Sequence, residues 1–277
     1  MSTLNLVVGT DRPILGWMTG GKKKKDYRKQ KQVVQRQSST LVTVGKLHAN
    51  LQTFPNWSLL LRQCNDGLPF LLDLSDPTAG PILISGDEGC GKTHQLQVLV
   101  ESAVRLNKPG EIQISIITHN PPDWDYLVEN TNYRKYLQDV HAWYDGSVEV
   151  KIQALTELAE KRRDNCKNGP VVMFIMDDLN FIEELSFEAQ VNLRWLIGYG
   201  AQSNVWIIAA VKSKYAKSLS YWLEAFRTRI LGKIVSKKNA QVLALKKDSQ
   251  VGRIGHSQFN VWSGTNWLTY QLPLLGR

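Results

Sequence analysis

The stretch GDEGCGKT at residues 86–93 constrains the fold more than any other part of the chain. Its spacing is GxxxxGK[ST], in which two glycines frame a turn that ends in a lysine and a hydroxyl residue. The short apolar run PILIS (81–85) precedes it, and the residues that follow place leucines, valines and alanines largely on one helical face. A buried strand, a glycine-rich turn and an amphipathic helix in this order predict a loop that binds phosphate groups at a helix N-terminus.

Each residue of the loop has an expected role. The glycines let backbone N–H groups turn toward phosphate oxygens, Lys92 reaches the β- and γ-phosphates of ATP, and the Thr93 hydroxyl holds Mg²⁺. Asp87 and Glu88 are unusual because they place negative charge beside phosphates, so we expect both to point outward. The predicted nucleotide-binding set is Gly86, Asp87, Glu88, Gly89, Cys90, Gly91, Lys92, Thr93 and His94.

A second motif, VVMFIMDDLN (171–180), ends in two aspartates and lies about 85 residues after the phosphate loop. Six apolar residues predict a buried strand that delivers Asp177 to its carboxyl end, where ligands of parallel sheets bind. We expect Asp177 to hold Mg²⁺ together with Thr93. Asp178 is the candidate that orients or deprotonates the attacking water.

The segments between and after these motifs alternate between strand and helix patterns. The sequence predicts an α/β fold of the P-loop NTPase, RecA-like type: a mostly parallel sheet with helices on both faces and a β-rich C-terminal edge. Ser186 suits the start of one of the helices. The predicted strands are 40–47, 68–74, 81–85, 112–118, 171–176, 205–211 and short runs after residue 225; the predicted helices follow residue 91 and cover 148–165 and 185–200.

The charge is concentrated in one segment. Residues 22–36 carry eight Lys or Arg against one Asp, a net of +7, whereas the whole chain of 277 residues has a net charge of +9. The segment has no apolar stripe. We therefore predict two parts, a basic and flexible N-terminal arm at 1–39 and an ATPase domain at 40–277, with the arm attracted to phosphate or to an acidic surface. A solvated linker is the alternative for the arm.

Several classes of protein do not fit the sequence. No apolar stretch approaches the roughly 18 residues that a membrane span needs, and no secretory signal pattern opens the chain. Cys64, Cys90 and Cys166 are far apart, so they suggest neither a disulfide framework nor a metal pair. We expect a cytoplasmic protein with reduced thiols and without a membrane span.

In its motifs and their order, the region from about residue 65 to residue 272 resembles the FtsK/HerA superfamily of DNA-translocating ATPases. The segments that carry the resemblance are NDGLPFLLDLSDPTAGPILISGDEGCGKT, ISIITHNPPDWDYL, MFIMDDLNFI, NVWIIAAVKS, TRILGKIVSKKNAQVL and GHSQFNVW. The phosphate loop is the most specific of them. The resemblance implies a ring, expected to be a hexamer, that hydrolyses ATP with Mg²⁺ and moves double-stranded DNA for packaging, transfer or segregation.

The chain also departs from this family's pattern. The second carboxylate is Asp178 where the family usually has Glu, and Lys212 stands at a sensor position that is usually Gln. The stretch 198–206 lacks the arginine that the family extends into a neighbouring subunit. Lys237 matches the family's trans-acting lysine and is the third catalytic candidate, with Lys92 and Asp178; Arg229 matches an arginine whose role is either functional or structural.

These departures leave other functions open. One alternative is an ATP-binding switch that hydrolyses slowly and recruits partners; another is a AAA-type remodeller or loader of proteins, which would normally have a C-terminal helical lid. For a DNA motor, residues 121–127 and 212–222 are candidate pore loops, with surface loops or helix faces as the alternative. We interpret Trp124 and Trp222 as packing residues. The membrane spans and DNA-reading domain of the family's larger members are not expected in this sequence.

Overall fold

The computed structural model describes six parts of the chain: residues 43–49, 57–63, 69–165, 169–245, 252–262 and 267–275. The basic segment 22–36 lies outside the described residues, as do Cys64 and Cys166. The division into an arm at 1–39 and an ATPase domain at 40–277 therefore stays a prediction.

Ten strands lie within the described residues. They are β1 (Ser58–Gln63), β2 (Pro69–Asp73), β3 (Ile82–Gly86), β4 (Ile112–Thr118), β5 (Leu137–Ala142), β6 (Val171–Asp177), β7 (Val205–Lys212), β8 (Thr228–Leu231), β9 (Gln258–Trp262) and β10 (Trp267–Gln271). Strands β1 and β2 form a small antiparallel sheet. The other eight form one sheet in the order β10–β9–β8–β3–β7–β6–β4–β5.

The large sheet is parallel from β8 to β5 and antiparallel at its other edge. Strand β3 pairs in parallel with β7 and β8, and β6 lies in parallel between β7 and β4. Strand β9 runs antiparallel to both β8 and β10. This arrangement confirms the predicted mostly parallel sheet with a β-rich C-terminal edge. It also brings the carboxyl ends of β3, β4, β6 and β7 to one edge of the sheet.

The helices cover both faces of this sheet. They are α1 (Val44–Ala49), α2 (Lys92–Leu106), α3 (Asp125–Glu129), α4 (Thr131–Arg134), α5 (Ser147–Asn165), α6 (Phe187–Tyr199), α7 (Ser220–Leu223) and α8 (Lys237–Leu243). Short 3₁₀ turns at Pro121–Trp124, Leu179–Glu184, Gly200–Ser203 and Ser213–Tyr215 follow β4, β6, α6 and β7. The predicted helix start at Ser186 is confirmed, since its hydroxyl accepts a hydrogen bond from the Ala189 N–H.

Strand β6 shows how the core is divided. All seven of its residues are buried. Because successive side chains of a strand point to opposite faces, Val171, Met173 and Ile175 pack with α2 and the small sheet. The alternate residues Val172, Phe174 and Met176 pack with α5 and α6. The continuous apolar run in the sequence thus reflects burial on both faces.

One predicted strand is wrong. The β-branched run at 40–47 predicts a strand, but Val44–Ala49 is helical. Val44 and Leu47 are both buried, at helical spacing, and the Leu47 N–H donates to the Thr43 carbonyl. Leu47 packs with Leu106 at the end of α2, and this packing overrides the local β propensity.

Strand β5 has no counterpart among the predicted elements. Its sequence, LQDVHA, mixes polar and apolar residues, and its side chains are half-buried or exposed. It lies at the outer edge of the sheet beside β4. An edge strand with one neighbour needs no apolar run, which is why periodicity does not reveal it.

Within the described residues, the structure contains no helix that combines the length and the apolar composition needed to cross a bilayer.

Candidate nucleotide-binding site

The phosphate loop connects the end of β3 to the start of α2, as the sequence predicts. Gly89 and Gly91 have φ angles of +74° and +98°, which L-residues with a side chain rarely adopt. Gly86 is required for a different reason, since a Cβ atom there would lie 2.5 Å from the Cys90 Sγ. The spacing of glycines thus follows from backbone conformation at two positions and from close packing at the third.

Lys92 is the first residue of α2, and its side chain lies along the inside of the loop. Its Nζ donates hydrogen bonds to the carbonyl oxygens of Asp87 (2.9 Å) and Gly86 (3.3 Å). Cys90 is buried behind the loop, 3.9 Å from this ammonium group. Burial raises the pKa of the Cys90 thiol, and the charge of Lys92 partly opposes this shift. Cys90 is therefore a neutral packing group that shapes the loop.

Asp87 has a structural function. Its carboxylate accepts hydrogen bonds from the Ser213 hydroxyl and from the Val235 N–H, the latter at 2.8 Å. Its own N–H donates to the Lys233 carbonyl at 2.8 Å. The carboxylate thus connects the phosphate loop to the segments that follow β7 and β8. Glu88, by contrast, is exposed and lies at the wall of the cleft described below.

Thr93 and Asp177 meet at the base of the site. The Thr93 hydroxyl donates to Asp177 Oδ1 at 3.0 Å, and Thr118 lies beside Asp177 in the register between β4 and β6. Asp177 is buried, and burial raises its pKa to about 6, while the hydrogen bond from Thr93 acts in the opposite direction. A nearby cation would stabilise the ionised form of this carboxyl group.

The oxygen donors at this point fit Mg²⁺. A hydroxyl and a carboxylate are hard ligands, and Mg²⁺ commonly takes only one or two protein ligands, completing its shell with water and substrate phosphates. The described residues contain no cluster of three or more His, Cys, Asp or Glu that could hold a metal ion by themselves. The pair of Thr93 and Asp177 is thus suited to a metal ion that arrives with a nucleotide.

Asp178 has an unusual backbone conformation, with a φ angle of +115°. Its Oδ1 accepts a hydrogen bond from the Asn180 N–H at 3.1 Å, which caps the 3₁₀ turn Leu179–Glu184. Its Oδ2 forms an ion pair with Lys212 Nζ at 3.3 Å. A strained residue at the end of a central strand is typical of functional sites.

A cleft of about 340 Å³ joins these groups at the carboxyl ends of β3, β4, β6 and β7. Of the predicted site residues, Glu88, Gly89, Gly91, Lys92, Thr93, His94, Asp177 and Asp178 line it, whereas Gly86, Asp87, Cys90 and Lys237 do not. Gly86, Asp87 and Cys90 belong to the loop itself and lie behind its inner surface. His94 lines the cleft with its Nε2 3.0 Å from the Pro273 carbonyl oxygen.

The structure adds residues that sequence reasoning missed. Thr118, His119, Asn120 and Asp123 line the cleft from the end of β4. The sequence signal was available, because polar residues follow an apolar strand there just as Asp177 and Asp178 follow β6. Lys212 also lines the cleft, at the position interpreted as a sensor.

Lys237 and Arg229 have different surroundings. Lys237 is exposed and begins α8, which Ser236 caps through the Asn239 N–H. Arg229 is buried, and its guanidinium donates to the carbonyl oxygens of Phe226, Leu223 and Leu243. Arg229 therefore connects the ends of α7 and α8. This environment favours the structural role over the functional one for this residue.

Trp124 and Trp222 are both buried, as the interpretation of packing residues requires. Residues 121–127 form a 3₁₀ turn and the start of α3, and residues 213–215 form a further 3₁₀ turn ahead of α7. Lys214 and Lys217 are exposed in the latter segment, and the Lys214 ammonium lies over the Tyr215 ring. Of the two candidate pore loops, only residues 212–222 present lysines at the surface.

Solved structures of ATPases share this fold. EccC of Thermomonospora curvata (ATPases 2 and 3), in complex with a signal sequence peptide, is 14% identical over 81% of this chain, with a TM-score of 0.64. The pCW3 conjugation coupling protein TcpA, with ATPγS, is 14% identical over 81% of this chain and 70% of its own length, with a TM-score of 0.56. The genome packaging NTPase B204 of Sulfolobus turreted icosahedral virus 2, with AMPPCP, is 11% identical over 72% of this chain and its own entire length, with a TM-score of 0.51.

These similarities concern the fold. The match covers only 42% of the EccC chain, so this chain spans less than half of that relative. No protein-family model and no curated protein sequence matches it. At the level of fold, the comparisons confirm the predicted P-loop NTPase architecture.

Proposed function

We propose that this chain is an ATPase that converts ATP hydrolysis into the movement of double-stranded DNA. The observation that carries the proposal is one cleft that combines the phosphate loop, the Thr93–Asp177 pair and Asp178. These are the parts that phosphoryl transfer to water requires: a phosphate cradle, ligands for Mg²⁺ and a carboxylate that prepares the nucleophile.

Each group has a specific task in this proposal. The backbone N–H groups of the loop and the N-terminus of α2 bind phosphate oxygens, and Lys92 exchanges its carbonyl partners for the β- and γ-phosphates. Thr93 and Asp177 hold Mg²⁺, which supplies charge neutralisation at the phosphates. Asp178 orients the attacking water and accepts its proton.

The DNA partner is inferred from charge and from the relatives. Residues 22–36 carry a net charge of +7, and Lys214 and Lys217 are exposed beside the cleft edge of the sheet. Two structural relatives are a conjugation coupling protein and a genome packaging NTPase. A ring of copies, with six as the expected number, would place the 212–222 segments around a central pore, where backbone phosphates are contacted without regard to sequence.

A slowly hydrolysing ATP-binding switch is the second candidate. It is favoured by the ion pair between Asp178 and Lys212, which occupies the carboxylate that hydrolysis needs, and by the lack of an arginine in residues 198–206. The third candidate, a AAA-type remodeller, has less support because the described C-terminal part forms β-strands next to β8.

The deciding experiment is the ATPase rate of the full chain with and without double-stranded DNA, with Lys92→Ala as the inactive control. A DNA motor shows Mg²⁺-dependent hydrolysis that DNA accelerates several-fold. Nucleotide binding with slow hydrolysis that does not respond to DNA would favour the switch. A Lys92→Ala protein that remains folded and binds ATP as tightly as wild type would contradict the assigned site.

A further inference from the structure

Lys212 lies where it can contact both the candidate nucleotide and Asp178. It is the last residue of β7, and its Cα is the register partner of Gly86 in the parallel pairing of β3 with β7. Neighbouring strands lie about 4.8 Å apart, so Lys212 is adjacent to the first residue of the phosphate loop. Its side chain lines the cleft, and its Nζ lies 3.3 Å from Asp178 Oδ2.

Lys212 is one of two lysines that line the cleft; the other is Lys92, and no arginine is among the residues that the structure places there. The remaining basic side chains in the lining are the imidazoles of His94 and His119. The His119 ring stacks on Trp143, with ring centroids 6.0 Å apart. The anionic groups in the same lining are Glu88, Asp123, Asp177 and Asp178.

Asp178 is held on both of its oxygens. Oδ1 is bonded to the Asn180 N–H, and Oδ2 is paired with Lys212. The pair also borders a second, smaller cleft of about 200 Å³, which Glu184 lines. In this state, the carboxylate that should receive a proton from water already has a cationic partner.

We propose that Lys212 recognises the terminal phosphate of a nucleoside triphosphate and, in the absence of that phosphate, locks Asp178. A γ-phosphate carries more negative charge than one carboxylate, so it competes successfully for the ammonium group. Transfer of Lys212 from Asp178 to the phosphate leaves Oδ2 available to the attacking water. The proposal rests on the proposed nucleotide site, and it gives this chain its own means of distinguishing ATP from ADP.

The test measures binding without turnover. In the full chain, affinities for a non-hydrolysable ATP analogue and for ADP are determined by displacement of a fluorescent nucleotide, for wild type and for Lys212→Gln. A charge-assisted hydrogen bond contributes enough that Lys212→Gln should weaken analogue binding by about tenfold to hundredfold. ADP binding should change little. Lys161→Gln, at an exposed lysine of α5 outside the cleft lining, is the control and should bind both nucleotides as wild type does.

Each outcome has a defined meaning. Unchanged analogue affinity in Lys212→Gln, or equal losses for the analogue and ADP in a folded protein, would overturn the inference and leave the nucleotide site intact. A wild-type chain that binds neither nucleotide would overturn the inference and the proposed function together. Circular dichroism of each variant establishes whether it is folded.

The lock is tested separately by combining Lys212→Gln with Asp178→Asn. If Lys212 must leave Asp178 in order to bind phosphate, Asp178→Asn tightens analogue binding in wild type and tightens it less in the Lys212→Gln background. Simple repulsion between Asp178 and phosphate makes the opposite prediction, because the repulsion grows once Lys212 is gone. An equal or larger gain in the Lys212→Gln background would therefore refute the lock.

Discussion

Asp177 and Asp178 are neighbours in the chain with opposite environments. Asp177 is the last residue of a strand buried on both faces and bonds to Thr93. Asp178 has left the strand, caps a 3₁₀ turn and pairs with a lysine. The sequence predicts two carboxylates with two roles, but only the structure shows that burial acts on one and an ion pair on the other.

The raised pKa of Asp177 predicts a pH-dependent stability. Its pKa is about 6 in the folded protein, against 3.8 for an aspartate side chain free in water. In the folded protein, Asp177 therefore stays protonated up to a higher pH than in the unfolded chain. Its contribution to the free energy of unfolding is most favourable below pH 4 and is lost as the pH rises to about 6. Asp177→Asn, which keeps an acceptor for Thr93, should be more stable than wild type by about 2–3 kcal/mol above pH 6.5 without nucleotide or Mg²⁺.

Urea unfolding between pH 4 and pH 8 measures this difference. The gain should disappear near pH 4, where both proteins carry an uncharged side chain at this position. Asp164→Asn, at an exposed carboxylate, is the control and should show no such pH-dependent gain. Parallel stability curves for wild type and Asp177→Asn would contradict the prediction.

The glycine at the start of the phosphate loop leads to a second prediction. In Gly86→Ala, the new Cβ would meet the Cys90 Sγ at 2.5 Å and the Lys233 carbonyl oxygen at 3.3 Å. We expect a loss of about 1–3 kcal/mol in the free energy of unfolding, as is typical of overpacking. Adding Cys90→Ala should recover part of this loss, because it removes the closer contact.

Thermal unfolding of the single and double variants tests this coupling. Gly198→Ala is the comparison, since nothing lies within 4 Å of a Cβ at that position of α6. It should be neutral or slightly stabilising. Additive effects of Gly86→Ala and Cys90→Ala would show that the sulfur contact is not the cause.

At the scale of elements, the sequence predicts best where a pattern has one physical cause. The apolar runs of β6 and β7 are read correctly because burial alone decides them. Helix α2 forms where it is predicted, but all residues from 95 to 103 are buried, including the polar ones, so burial is not confined to the predicted apolar face. The run at 40–47 is misread because packing at the end of α2 decides its conformation, and β5 is missed because an edge strand needs little burial. Similarly, the ion pair of Lys212 depends on a strand order that no local pattern contains.

The basic segment 22–36 is an element for which charge is the only evidence. If it tethers DNA, replacing the four lysines at positions 22–25 by glutamine should weaken DNA binding by the full chain. The slope of log K against log salt concentration should become shallower by about 0.9 for each lysine that contacts a phosphate. ATP binding should not change.

Fluorescence anisotropy of labelled duplex DNA over a range of salt concentrations provides the measurement. The control replaces four exposed lysines elsewhere, Lys46, Lys108, Lys135 and Lys161, and should retain most of the slope. If both sets of replacements act alike, the segment is not a specific tether.

For the whole molecule, the predicted ring requires that a site be completed by a neighbouring copy. Lys237 is exposed and outside the cleft of its own chain, as a trans-acting residue must be. We expect Lys237→Ala and Lys92→Ala each to be inactive alone, because one lacks the trans lysine and the other lacks the loop lysine. A mixture should regain a fraction of wild-type ATPase activity, since an intact loop can then face an intact Lys237.

The ATPase rate of the mixture against its mixing ratio checks this. Because the site would need a neighbouring copy, the ATPase rate per chain of the wild-type protein should also rise with protein concentration. Mixtures without any recovery, or Lys237→Ala with normal activity, would remove Lys237 from the mechanism. The position of the cleft was predictable because parallel α/β folds place ligands at the carboxyl ends of their strands. The order of the strands and the assembly of copies were not, because both depend on contacts that the sequence pattern does not identify.

The position of Asp87 has a consequence for protein engineering. An engineer who wanted tighter nucleotide binding would remove this negative charge from the phosphate loop. Its carboxylate, however, accepts hydrogen bonds from the Ser213 hydroxyl and the Val235 N–H. The phosphate loop, the end of β7 and the segment before α8 are therefore all connected through this one side chain. Replacing Asp87 by an apolar residue would reduce the electrostatic repulsion of the nucleotide phosphates. It would also remove the hydrogen bonds that fix these three segments relative to one another. We therefore expect that a gain in nucleotide affinity at this position comes with a loss in the transmission of movement from the phosphate loop to the segments that follow β7 and β8.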